Sequence, residues 1–339
     1  MSLIRAIETG DLAELPSRRD EDWRWSDLRG LIRALPPASA EFDGAIGAGP
    51  FDRLAGETLL VVNGRGAPRM AAAPEGVLAL RMVARGDGAH AAKARFEIEG
   101  RLTLLETYEG AGDYLSEIDL AFHLHAGAAL ERIVLCDEPA GAVSVSCAEV
   151  TLAPGASFSQ TVIASGARRQ RIETRVAHAG GGAAARLDGL YLLAGQRHSD
   201  QTTVVIHAGR DGRTDQLAKG VAQDQARSVF QGRIVVAEGA DRTDAQMGHH
   251  ALILSDRAEV DAKPELEIFA DDVACAHGNS VGALDEGALF YAEQRGIPEP
   301  EARAMLTEAF LGEVVDRIDH DGAREVVRAW VAEQLRAKL

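Results

Sequence analysis

FHLHAGAAL (Phe122–Leu130), VTLAPGASF (Val150–Phe158), VVIHAGRDG (Val204–Gly212) and IVVAEGADR (Ile234–Arg242) are four copies of one pattern. Each is a short run of alternating or β-branched apolar residues closed by a glycine turn. The turn glycines Gly127, Gly155, Gly209 and Gly239 recur at nearly one interval, except that the middle gap is close to two periods. HAGGG around Gly181 falls near the middle of that double gap. A degenerate repeat of roughly 27–30 residues marks a solenoid. Few helical patterns separate the strands, so a stacked β-solenoid fits better than a βαβ fold. Each coil would bury Val, Leu, Ile and Ala against the next, with glycine relieving the backbone at corners. Such a solenoid ends in open edges that require a cap or a partner.

Outward from this core the texture changes on both sides. Residues 1–95 read as an N-terminal mixed α/β, mostly helical cap, 96–280 as the β-helix core and 281–339 as a C-terminal helical domain. In the cap, a short helix is expected before Gly10 and another over Asp20–Leu35, stopped by Pro36-Pro37. Trp23 and Trp25 would anchor this unit to a neighbouring surface. Thr58–Val62 reads as a strand ending in the Asn63-Gly64 turn, and Ala67–Ala94 as loop or linker. After Gly282, Asp285 can cap a helix running to Arg295, Gly296 fits its C-terminal turn and Pro298 suits the first turn of the next. Ala302, Met305, Leu306, Ala309, Phe310 and Val314 form one helical stripe. Asp321-Gly322 breaks it, and a last helix carries Val326, Val327, Trp330, Val331 and Leu335.

The chain has 339 residues and a formal net charge of −16. That balance opposes non-specific binding to nucleic acid and to anionic membranes. The basic cluster Arg168, Arg169 and Arg171 reads as a solvated strand or loop. Three cysteines without CxxC spacing are no disulfide framework and fit a reducing cytosol. With no secretory signal and no membrane-length apolar run, a cytoplasmic location is expected.

Chemistry concentrates in LEIFADDVACAHGNSVGALDEGALFYAEQRGI (Leu266–Ile297). Cys275 and His277 share one face of an extended strand, a ligand mix that suits iron, zinc or copper. One chain supplies too few ligands here for a closed site, and the plainer reading is packing plus a surface histidine. His123-x-His125 lacks a third ligand at readable spacing, so it and His249-His250 read as surface or corner positions. Gly278-Asn279-Ser280-Val281-Gly282 matches the G-x-S-x-G elbow of serine hydrolases, with Asp316, Asp319 and His320 following. An esterase using Ser280 is therefore the rival reading. Against it stand the missing strand–helix alternation and the missing oxyanion loop. No Walker A sequence occurs, so the chain should not bind ATP itself.

Two segments carry a family resemblance. ADDVACAHGNSVGALDEGALFYAEQRGIPEPEARAMLTEAF resembles the C-terminal signature of the SufB/SufD family of iron–sulfur cluster assembly scaffolds. SRRDEDWRWSDL (Ser17–Leu28) is similar to its N-terminal motif, and LILSDRAEVDAKPELE (Leu252–Glu267) fits as well. These matches cover about a fifth of the chain. H-G-x-x-x-G-x-L-D-E after the cysteine favours the SufD branch over SufB, whereas Ala274, Ala276 and Asn279 depart from its usual polar residues. The resemblance implies a right-handed parallel β-helix and a scaffold rather than an enzyme, with no catalytic residue. It implies a heterodimer with a SufB-like paralogue through the β-helix. It also implies docking of a SufC-like ABC ATPase on the C-terminal helices, with Leu306 and Phe310 as candidate contacts. It places His277, and less directly Cys275, at a cluster-assembly site shared with SufB. No cofactor is held stably; iron or an iron–sulfur cluster would be a transient cargo. Homodimer formation in the absence of partners is left open.

Overall fold

The computed structural model describes residues 2–67, 71–73, 75–178 and 181–338. Two parallel sheets wind around a common axis and form a β-solenoid of about seven turns. One holds β1 (Glu57–Val62), β3 (Gly76–Arg85), β5 (Arg101–Ala111), β7 (Ala129–Asp137), β9 (Ser157–Ala164), β11 (Ala184–Leu193), β13 (Arg213–Ala222), β15 (Asp244–Ile253) and β17 (Ala274–Gly282). The other holds β2 (Ala71–Ala72), β4 (Gly88–Ile98), β6 (Tyr114–Leu124), β8 (Val143–Leu152), β10 (Arg169–His178), β12 (His198–His207), β14 (Arg227–Val236) and β16 (Glu259–Ile268). Consecutive strands alternate between the sheets, so each neighbour in a ladder comes from the next coil. Leu104 lies beside Arg132 and Asp244 beside Ala274, so ladder partners stand one sequence repeat apart.

The turns follow the glycine pattern with one exchange. Gly127, Gly155 and Gly239 take the left-handed conformation, at φ 75°, 70° and 81°. At the Gly209 corner it is Asp211 that does so, at φ 60°, a role the short Asp side chain tolerates. Of the HAGGG corner, Ala179 and Gly180 lie outside the described residues.

The stretch expected as loop or linker contains β2, β3 and most of β4, and its residues 68–70 and 74 lie outside the described residues. Its runs are buried on both faces, as in Leu78–Ala84, and a strand buried on both sides loses the alternation that marks a half-exposed one. The ladder thus starts at Glu57, inside the segment read as the cap. A second difference is at Asp20–Leu35, where a single 3₁₀ turn (Glu21–Trp23) replaces the expected helix. Here the chain packs Leu28 and Ile32 onto the outer face of the eight-stranded sheet, against Leu115, Val143 and Val145. Trp23 stacks over the Arg171 guanidinium at 4.5 Å. Arg171 is itself fully buried between Asp200 and Glu173, so it is not the solvated residue expected.

Helix α1 (Leu3–Thr9) ends at Gly10 in the left-handed conformation, φ 73°. At the other end Asp285 caps α2 (Glu286–Gln294), donors being the N–H groups of Gly287 and Ala288. Pro298 precedes α3 (Glu299–Val315), and α4 starts at Asp321 and runs to Lys338. Leu311, Val314, Val315, Val327 and Val331 cover Leu190, Leu192 and Val221 on the outer face of the nine-stranded sheet. Both outer faces are therefore partly clothed, one by the N-terminal segment and one by α3 and α4. At the C-terminal end of both ladders lies the last coil, and β17 is exposed along most of its length.

Candidate functional site

β17 pairs with β15 and β16 with β14, and each is the terminal strand of its sheet. Pro264, which cannot donate to a ladder, sits in β16, as a proline does on an edge strand. In register, Cys275, His277 and Asn279 lie beside Ala245, Met247 and His249. Those three partners are buried inside the solenoid. The row Cys275–His277–Asn279 consequently faces the interior side of a coil that no further coil covers.

The members of that row differ in depth. Cys275 is half-buried against the interior core. Burial, with a smaller push from Asp244, raises its pKa against the effect of the Ala245 backbone contact, so the resting group is a thiol rather than a thiolate. His277 is exposed. Asn279 Oδ1 accepts from His249 Nδ1 at 2.7 Å, and Tyr191 O–H lies 3.0 Å from His249 Nε2. Burial holds His249 neutral, with its pKa lowered to about 4. A neutral ring that donates from Nδ1 must accept at Nε2, so Tyr191 is the donor. Phe230 stacks on the same ring at 4.6 Å. The sequence motif thus places Cys275 and His277 on one face, but they do not form a three-ligand set. Among the described residues, Glu97, His123 and His125 are the one group of three such side chains with ligand atoms all within 4.8 Å.

Around the open end lie apolar side chains that the motif reading missed. Ile268, Phe269 and Val281 are exposed by 41%, 65% and 45%. On the helices, Phe290, Tyr291 and Met305 are exposed. Leu306 and Phe310, the candidates read from the stripe, are half-buried instead. Leu306 packs on the small core of Leu284, Leu289 and Ala302, and Phe310 packs on the sheet-covering core with the Lys219 ammonium 4.6 Å from its ring. Pro264 and the charge-poor FYA segment after the cap were the available signals for these two patches.

The hydrolase geometry is not assembled. Ser280 lies within β17 rather than on a strand-to-helix elbow, and its hydroxyl contacts His250 Nδ1 at 2.7 Å. His320 Nδ1 accepts from the Ala323 N–H, and Asp319 pairs with Arg186. Asp316 pairs with Arg328.

A family model described as SUF system FeS cluster assembly, SufBD core domain, matches residues 92–310, well over half of the chain. The chain is 37% identical over 150 residues to the iron-sulfur cluster assembly protein SufD of Escherichia coli, covering 44% of this chain and 36% of that protein. It is 36% identical over 131 residues to SufD of Bacillus subtilis, covering 39% and 30%. An iron-sulfur cluster assembly SufBD family protein of Mycobacterium tuberculosis is 27% identical over 362 residues, covering 96% of this chain and 90% of that one. The aligned part therefore spans about a third of the two SufD proteins and nearly all of the mycobacterial one. No helix among the described residues is long and apolar enough to cross a membrane.

Proposed function

This chain belongs to the SufBD core family of SUF-system iron–sulfur cluster assembly proteins, and from that premise we propose that it is a scaffold rather than an enzyme. The observation that carries the reading is the last coil, where exposed His277 stands on the terminal strand β17, whose outer edge is unpaired, and where Ile268, Phe269 and Val281 are also exposed. Unpaired strand edges and clustered exposed apolar groups are surfaces that another chain covers. The partner fitting this end is a SufB-like paralogue with its own solenoid edge, giving a heterodimer. His277 would offer one imidazole ligand to the iron of a nascent cluster, and the partner would supply the others. Cys275, held as a half-buried thiol, would need deprotonation before it could join them.

The second docking surface is the helical end. Phe290, Tyr291 and Met305 suit a SufC-like ABC ATPase better than Leu306 and Phe310, which are largely used by the chain's own cores. For ATP to drive the scaffold, the ATP-bound partner must prefer one arrangement of the scaffold pair over another. Helices α3 and α4 would carry that preference, because they pack directly on the nine-stranded sheet. Arg317 ties the end of α3 to Asp188 at 3.0 Å and Asp215 at 2.6 Å.

Co-purification of the tagged chain from its own host tests this reading. Recovery of an ABC ATPase and a larger homologous subunit is expected, with the ATPase lost in a Phe290→Ala/Tyr291→Ala variant. Recovery of the chain alone, or as a homodimer, would contradict it.

A further inference from the structure

A second cluster of ligand-type side chains lies away from the last coil, on the outer face of the eight-stranded sheet. Glu97 in β4 and His123 in β6 are direct neighbours in the ladder. Their sequence neighbours Phe96, Ile98, Phe122 and Leu124 all point into the interior core, so Glu97 and His123 point outward. His125 follows two residues later, and its backbone N–H donates to the Ile98 carbonyl at 2.9 Å. That bond holds His125 against the preceding coil although β6 has already ended. The two imidazoles stand nearly perpendicular, at 86° with centroids 5.3 Å apart. His125 Nε2 lies 3.2 Å from Glu97 Oε2. Arg95 engages the other oxygen, Oε1, at 2.8–2.9 Å. The carboxylate is thus oriented by a cation on one side and presents its free oxygen to the histidines on the other. Thr151, a small residue, is the next neighbour of His123 in the ladder.

We propose that Glu97, His123 and His125 form a binding site for a divalent first-row transition ion. One ligand atom from each lies within 4.8 Å of the other two, close enough for small side-chain rotations to bring all three onto one ion. Two imidazoles and a carboxylate leave a fourth position for water or a partner's ligand, the arrangement of open zinc sites and of iron(II) triads. Without an ion, the His125 Nε2 proton bridges to Glu97. On binding, the ring takes its other neutral tautomer, with the proton on Nδ1, and the ion takes the place at Nε2. The chain's net charge of −16 favours the approach of a cation. This site is independent of the role given to His277 and uses none of the last coil.

The test is titration of the untagged full chain with cobalt(II), read by visible absorption, followed by displacement with zinc. One saturable ion per chain is expected. His123→Asn, His125→Asn and Glu97→Gln should each weaken it by at least about tenfold, since loss of even an outer partner costs that much, while circular dichroism stays native. His277→Ala should bind as the parent does. Absence of saturable binding below millimolar cobalt, or binding indifferent to both histidine substitutions, would overturn the proposal. Loss of the ion in His277→Ala alone would also overturn it, by placing the metal at the last coil.

Discussion

Nδ1 of His249 lies 2.7 Å from Oδ1 of Asn279, so the final edge strand is tied to a ring stacked inside the solenoid. The bond flanks His277, two residues earlier in the same interior-facing row. His249→Ala removes that bond and the Phe230 stack together. A loss of about 2–4 kcal/mol in urea unfolding is expected, from the cavity and the unsatisfied partners. Amide exchange in β17 should accelerate more than in β11, because an edge strand has fewer other ties.

Acid should weaken the fold through its buried imidazoles. Burial, foremost, lowers the pKa of His90, His207 and His249 to about 4 and, with His207 close by, that of His178 to about 3. Because the folded values lie below the unfolded value near 6.5, each neutral ring contributes stability that is fully present above about pH 6.5. It is lost as pH falls toward 4. His249→Phe keeps the stack but removes one such ring, so its unfolding midpoint should fall less steeply between pH 6.5 and 4 than the parent's.

Glu117 works in the opposite direction. Its carboxylate accepts the Ile4 N–H at the start of α1. Burial raises its pKa to about 7 against the pull of that N–H, and Asp119 adds to the rise. A folded value above the ordinary 4.5 means stability that is complete at low pH and lost as pH rises through 7. Glu117→Gln retains an acceptor oxygen without the charge. It should raise stability at pH 8, by on the order of 3 kcal/mol, and change it little at pH 5. Melting temperatures at the two values provide the comparison.

Inside the solenoid, Arg132 and Glu106 form a fully buried two-bond pair at 2.7 Å, and Arg132 also donates to Gln160 at 2.6 Å. Arg132→Met should cost about 3–5 kcal/mol, because it strands the Glu106 carboxylate. The double variant Arg132→Met/Glu106→Leu should recover much of that loss in denaturant unfolding.

The solenoid was legible because its period is written in glycine corners such as Gly127 and Gly155, where the backbone needs a left-handed residue. The first coils were not, since β3 is buried on both faces and shows no alternation. The N-terminal segment misled for a related reason. Asp20–Leu35 has helical spacing, yet its conformation is set by distant partners such as Arg171 and Asp200, which the local sequence cannot reveal. At the candidate site, the strand position of Cys275 and His277 followed from their i, i+2 spacing. Their unequal depth did not, because it depends on the coil that precedes them and the one that is missing. Glu97 joined His123 and His125 only through the register of β4 against β6, a full coil apart in the chain and invisible to any reading by local spacing.

The most direct test of the scaffold account is cluster formation by the reconstituted partner complex with His277→Ala in place of the parent chain. The variant is expected to fold, to retain both partners and to lose assembly of the iron–sulfur chromophore. Normal assembly by that intact complex would contradict the role given to His277 at the open end of the solenoid.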